Sequence, residues 1–247
     1  PAPVTAFIAT VSKGGMIALL VRFFSQTDVF RFESIVLIFT VIAIASMFIG
    51  NFLALRQKNV KRILAYSSIA HIGYLLVAFL AGRELGVEAV SFYLVAYFIT
   101  TVGAFGIVAM LSDRDRDAEL IDDYTGLLWR RPWTASALAA MLLSLAGIPL
   151  TAGFVGKFYI VAAGVSTNLW LLVAMLVLNS ALGLYYYIKI IAVMFERTDE
   201  YPLPAGMLRP SSYIVSGVTL TVLVGLLLWV GIYPQWIMTV IKTYVNS

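Results

Sequence analysis

Ser144-Leu145-Ala146-Gly147-Ile148-Pro149-Leu150-Thr151-Ala152-Gly153-Phe154-Val155-Gly156-Lys157-Phe158-Tyr159 is the stretch whose reading decides the fold. It sits inside an apolar run from Thr134 to Gly164, too long and too uncharged for a soluble helix, and reads as a membrane span. Gly147, Pro149, Gly153 and Gly156 stand in its middle. Pro149 has no amide hydrogen and clashes with the preceding turn, so regular helix breaks near it. Irregular backbone inside a bilayer is tolerated only where protein or a watery cavity satisfies the freed polar groups. Lys157 follows the break with no acid near it in sequence. A lysine beside a broken helix marks an ion path. The plainer alternative is a lysine that snorkels to the headgroups. Eight residues separate Lys157 from Gly164, about 12 Å of helix, which is deep for snorkelling.

Composition sets the class. Of 247 residues 61% are hydrophobic and 12% charged, so the chain reads as an all-α polytopic membrane protein. The absence of cysteine excludes Cys-ligated iron–sulfur clusters and disulfides on this chain. A single histidine, His71, excludes a multi-histidine metal site. The net charge of +4 belongs to loops and reports orientation in the lipid bilayer, not nucleic-acid binding.

Seven spans are predicted: Val4–Phe24, Ser34–Leu55, Ile63–Ala81, Ala89–Leu111, Thr134–Gly164, Leu169–Phe195 and Tyr213–Val230, the last reaching toward Trp236. No linker divides them, so residues 1–247 read as one transmembrane domain. No cleavable leader is expected, because the first segment continues as a full span. The polar connection from Ser112 to Pro132 alternates Asp113, Arg114, Asp115, Arg116 and Asp117, which pair with one another in water. Arg56, Lys58, Lys61, Arg62, Arg114, Arg116, Arg130, Arg131, Arg197 and Arg209 lie on one side, against Arg22, Arg31, Arg83 and Lys242 on the other. The richer side is assigned to the cytoplasm, with Pro1 starting there and Ser247 ending outside.

Three lysines fall within spans. Lys13 lies near the centre of the first, beside Ser12, Gly14 and Gly15. An unpaired ammonium at mid-bilayer costs ~3 kcal/mol, which suits either a proton carrier or one half of an ion pair with another chain. Lys189 is close enough to the cytoplasmic end to snorkel, and Tyr185-Tyr186-Tyr187 fit an interfacial belt or a polar lining. The third span carries Tyr66, Ser67, Ser68, His71 and Tyr74. Ser67, His71 and Tyr74 share one helical face. Such a face either relays protons through hydroxyls and an imidazole or simply bonds neighbouring helices. By depth Lys13 is central and Lys157 lies in the outer half, so Lys13, His71 and Lys157 form a predicted lateral series.

Three stretches carry a resemblance. Pro1-Ala2-Pro3-Val4-Thr5-Ala6-Phe7 through Lys13, Val60 to Tyr74 (VKRILAYSSIAHIGY) and Leu145 to Tyr159 (LAGIPLTAGFVGKFY) resemble the eighth, tenth and discontinuous twelfth helices of the antiporter-like membrane subunits of respiratory complex I, NADH:quinone oxidoreductase. A lysine at 157, where one related subunit carries glutamate, makes the nearest match the member beside the quinone-binding arm. So does a chain ending soon after its last span, without the long lateral helix of another. The resemblance implies helices eight to fourteen of fourteen, with spans two to six as one five-helix unit of an inverted-repeat transporter fold. It implies proton translocation through Lys13 as the central-channel lysine, His71 on the hydrophilic axis and Lys157 on the broken helix. Ser12, Tyr66, Ser67, Ser68 and Tyr74 are expected to line the path. It implies no cofactor or metal on this chain, with NADH, FMN, iron–sulfur clusters and quinone held by other subunits. The implied partners are the other membrane subunits, neighbouring antiporter-like ones included, and the implied location is the bacterial inner membrane. The rival readings are a cation/proton antiporter subunit of the multisubunit sodium-exchanger type and a structural membrane spacer.

Overall fold

A computed structural model describes residues 2–27, 32–112, 118–197 and 210–245. Pro1, Arg31, the alternating Asp113 to Asp117 run, Arg209 and Ser247 lie outside the described residues. The described chain is helical throughout, without a strand. The helices are α1 (Ala2–Phe7), α2 (Lys13–Ser25), α3 (Glu33–Leu55), α4 (Val60–Ala81), α5 (Arg83–Leu111), α6 (Leu127–Arg130), α7 (Pro132–Ala146), α8 (Ala152–Ser166), α9 (Trp170–Phe195), α10 (Pro210–Ile232) and α11 (Pro234–Val245). A π-helical turn, Ile8–Ser12, joins α1 to α2, and a 3₁₀ turn, Ile121–Tyr124, precedes α6.

Among the described residues, five stretches are single helices long and apolar enough to cross a membrane: the first runs Ala2–Phe24 through the π turn, and α3, α4, α5 and α9 supply the others. The predicted fifth span is two helices of 15 residues. Each rises about 22 Å, short of a ~30 Å hydrocarbon core, so neither crosses alone. The predicted last span also ends earlier than Trp236. Helix α10 stops at Ile232, and Pro234, free to open a helix because its missing N–H would be unbonded there anyway, starts α11 at 80° to it.

The centre of the bundle is α4. Of its most apolar window 72% is buried, against 22% for α3. Glycine makes the α3–α4 approach possible: a Cβ on Gly73 would come 2.7 Å from the Ala43 carbonyl oxygen, and one on Gly50 2.6 Å from the Ala70 nitrogen. Helices α5, α8 and α9 cover the remaining faces of α4, so its polar side chains point into protein and not lipid.

The basic end is pinned by backbone. Asn59 caps α4 by accepting from the Arg62 amide at 3.0 Å. The Val60 amide donates to the Glu119 carbonyl at 2.6 Å and Ile121 to Lys58 at 2.9 Å. Lys61 pairs with the Glu119 carboxylate at 3.1 Å. Tyr124 is buried beneath this junction, and burial, reinforced by the Asp123 and Glu119 charges, holds its phenol above the usual range. The Gly126 amide donates to Val193 and the Trp129 indole to Phe195, bringing the end of α9 to the same place. The described part of the polar connection is therefore built into the fold.

Candidate polar axis through the membrane

The break between α7 and α8 is made by two left-handed residues. Gly147 at φ +88° closes α7, its amide donating to the Leu143 and Ser144 carbonyls. Leu150 at φ +73° carries a side chain in a region that costs an L-residue roughly 1–2 kcal/mol. Thr151 then caps α8, accepting from the Phe154 amide. The Gly153 amide donates to Ser144 Oγ at 3.1 Å, and a Cβ there would strike the Ser144 carbonyl, so the first turn of α8 lies beside the last of α7. Gly156 allows the same closeness to Tyr93.

This geometry frees carbonyls at the negative end of α7, and Lys157 takes them. Its ammonium donates to Leu145 at 3.0 Å, Ala146 at 2.8 Å and Ser180 Oγ at 2.6 Å. It also stands 5.2 Å above the Tyr74 ring. Lys157 is 8% exposed, so it does not snorkel.

Lys13 is held in the same manner from another direction. The π turn ends at it, and such turns reposition side chains at functional sites. Its ammonium donates to the Ser68 carbonyl at 2.5 Å and the Tyr97 hydroxyl at 3.1 Å and lies 4.7 Å over the Tyr97 ring. The Phe98 ring fills the space beside Gly14. Among the described residues neither buried lysine has a carboxylate partner.

His71 stands between them. Its Nδ1 is 2.6 Å from the Tyr93 hydroxyl and its Nε2 3.4 Å from that of Tyr187. Its ring contacts Tyr97, which holds Lys13, at 5.1 Å, and Tyr74, which underlies Lys157, at 5.3 Å. Tyrosines thus connect the three basic groups laterally. Beside them Asn51 donates to Tyr74 at 3.4 Å and to Asn179 at 3.1 Å, and accepts from Tyr186 at 2.9 Å.

The structure brings together Lys13, Ser67, Ser68, His71, Tyr74 and Lys157. Two expected lining residues lie elsewhere. Ser12 is exposed on the outer side of the first helix, one residue and so about 100° from Lys13. Tyr66 is half-buried against apolar side chains, on a flank of α4 away from His71. Lys189 and Tyr185 are exposed, whereas Tyr186 and Tyr187 are buried in the axis and not in a belt. Tyr93, Tyr97, Asn51, Asn179 and Ser180 carry no separate mark in the sequence. The one available signal is the four-residue spacing of Tyr93 and Tyr97 within an apolar run.

Residues 1–183 match the family model described as NADH:quinone oxidoreductase/Mrp antiporter, transmembrane. Over 240 residues the chain is 46% identical to NADH-quinone oxidoreductase subunit N of Methylococcus capsulatus, covering 95% of this chain and 47% of that protein. The chain spans about half the length of the curated relatives it matches. Among solved structures it resembles a chain of an archaeal membrane-bound sulfane sulfur reductase, with TM-score 0.83 and 26% identity over 100% of this chain and 49% of that one. A chain of respiratory complex I from Thermus thermophilus gives TM-score 0.70 and 30% identity, covering 81% and 44% respectively.

Proposed function

The chain belongs to the NADH:quinone oxidoreductase/Mrp antiporter transmembrane family, and from that premise we propose that it carries protons within a membrane NADH:quinone oxidoreductase. The carrying observation is the row of buried basic groups joined by tyrosines, with lysines held by carbonyls and hydroxyls in place of carboxylates. Such a site accommodates a lysine with or without its proton, because no anion is stranded when the proton leaves. On this reading Lys13 receives a proton near mid-membrane. His71 and the tyrosine hydroxyls around it pass it sideways, and Lys157 takes it at the helix break. Ser67, Ser68 and Tyr74 line this route.

Electron transfer belongs to other subunits, which would hold NADH, FMN, iron–sulfur clusters and quinone. Other membrane subunits of the complex would be the partners, in a bacterial inner membrane. The family description also covers Mrp antiporters, so sodium-dependent proton flux without a redox donor is the second reading.

The test is Lys157→Ala in the intact complex in vesicles, with assembly checked first. Proton uptake driven by NADH oxidation is measured beside electron transfer. Loss of pumping or of coupled turnover in an assembled complex is expected. Wild-type pumping and turnover would show that Lys157 only packs the break.

A further inference from the structure

A second polar group lies outside this axis, at the opposite end from the basic loops. Glu88, in the second turn of α5, is 5% exposed. It is the only buried carboxylate among the described residues. Lys242 of α11 approaches it at 3.8 Å and is itself largely open to solvent. The pair lines a half-open groove of about 460 Å³ between α5, α8 and α11. Leu85, Ala89, Tyr159, Ala163 and Thr239 are among its walls. Phe158 and Tyr159, the two residues after Lys157, line the groove, so it begins near the depth of that lysine and runs toward the surface. Tyr159 packs edge-on against Phe92 at 5.1 Å, and Phe92 and Tyr93 both lie against Gly156, the residue before Lys157.

An acid inside a span is costly and needs a reason. Here the reason is not rigid pairing, since 3.8 Å is longer than a charge-assisted hydrogen bond. The volume has room for several waters, and the carboxylate and ammonium offer polar partners for them. We propose that Glu88 is the proton-release group of this half, facing a water-filled groove roofed by α11, with Lys242 as its counter-charge. This inference rests on the proton-carrying reading above. The Glu88 carboxylate accepts, through waters of the groove, the proton that the Lys157 ammonium gives up; the lysine becomes the neutral amine and Glu88 the neutral acid, which loosens Lys242. Glu88 then gives that proton to a water of the groove, which leaves as hydronium, and the ion pair re-forms.

The experiment measures protons pumped per electron in vesicles of the intact complex for Glu88→Gln, Glu88→Asp and the double variant Glu88→Gln/Lys242→Gln, beside Lys157→Ala. Loss of pumping in Glu88→Gln and in the double variant, with recovery in Glu88→Asp, is the expected result. The double variant removes both charges, so a merely structural ion pair predicts normal pumping there, and that result overturns the proposal. If Lys157→Ala abolishes pumping while Glu88→Gln does not, the release role falls and the proton-carrying reading stands. If neither variant affects pumping, both fall. Should the Glu88 variants fail to assemble, Ala162→Cys, at an exposed position of α8 that lines the groove, is treated from outside with a membrane-impermeant maleimide, the sequence being free of cysteine. Labelling of this chain is expected, and an Ala162→Cys chain that stays unlabelled in the functioning complex overturns the water-filled groove.

Discussion

Gly147→Ala tests whether the shape of the helix break, and not only its lysine, sets function. Gly147 has φ +88°, where an alanine costs roughly 1–2 kcal/mol of backbone strain. The added Cβ would lie 2.9 Å from Lys157 Cδ and 3.1 Å from its Nζ. Carbon atoms prefer separations of about 3.5–4.0 Å, so the lysine must retreat by ~0.6 Å or more. Its bonds to Leu145 and Ala146, now 3.0 and 2.8 Å, would stretch toward or past the limit of a hydrogen bond. Losing one bond to a charged group costs about 1.5–3 kcal/mol, giving a total of about 2.5–5 kcal/mol. The control is Gly106→Ala in α5, where the new methyl meets nothing within 4 Å and helix propensity improves by roughly 0.5–1 kcal/mol. Both variants are made in the intact complex, and pumping per electron and the rate of heat inactivation are compared. Gly147→Ala should inactivate faster and pump less, while Gly106→Ala should match or exceed wild type. Equal behaviour of the two would refute the claim that the left-handed turn positions Lys157.

Tyr93→Phe removes the 2.6 Å partner of His71 Nδ1, a loss of about 1–3 kcal/mol for a buried group left unpaired. Pumping should fall in an assembled complex, and unchanged pumping would make Tyr93 a packing residue only. Asn51→Leu removes the Asn51 bonds to Tyr74, Tyr186 and Asn179 Oδ1 together, so heat inactivation should accelerate more than for Tyr93→Phe. Glu119→Gln weakens a half-exposed ion pair with Lys61 worth ~0–1 kcal/mol, and pumping should stay at the wild-type level in the same vesicle assay.

How much of this is legible in the sequence depends on the direction of the information. Along the chain it is good. Pro149 with its flanking glycines announces the break, and the 3.6-residue period places Ser67, His71 and Tyr74 on one face, all buried. Ser12 and Tyr66 group with them by polarity and nearness in sequence, but helical rotation carries Ser12 outward and Tyr66 to a flank. Across the membrane plane the sequence is nearly silent. Tyrosine is only mildly polar in a hydropathy window, so its apolar neighbours outweigh Tyr93 and Tyr97 in the α5 run, and Tyr186 and Tyr187 resemble a headgroup belt. A lone amide such as Asn51 or Asn179 is equally mute, because only the packing of α3 on α9 reveals that the two meet. The turn into α11 escapes the sequence for a different reason. Apolar residues continue past Gly231 and Pro234, so composition alone extends the span, whereas the proline starts a second helix in another direction.

These lateral contacts also explain why two lysines can sit buried here with no acid beside them among the described residues. A carboxylate beside Lys157 would form an ion pair inside the bundle, and removing the proton would then leave a buried anion alone. Carbonyls at the end of α7 are neutral dipoles that favour the ammonium without penalising its loss so severely. Hydroxyls such as Ser180 and Tyr97 go further, since each donates or accepts as the neighbour's proton comes and goes. The helix break supplies the carbonyls next to Lys157, and the Ser68 carbonyl, facing Lys13 beside a π turn, supplies the equivalent at the other end. On the proton-carrying reading, neutral carbonyls and hydroxyls at both ends of the axis are what let its cations change charge.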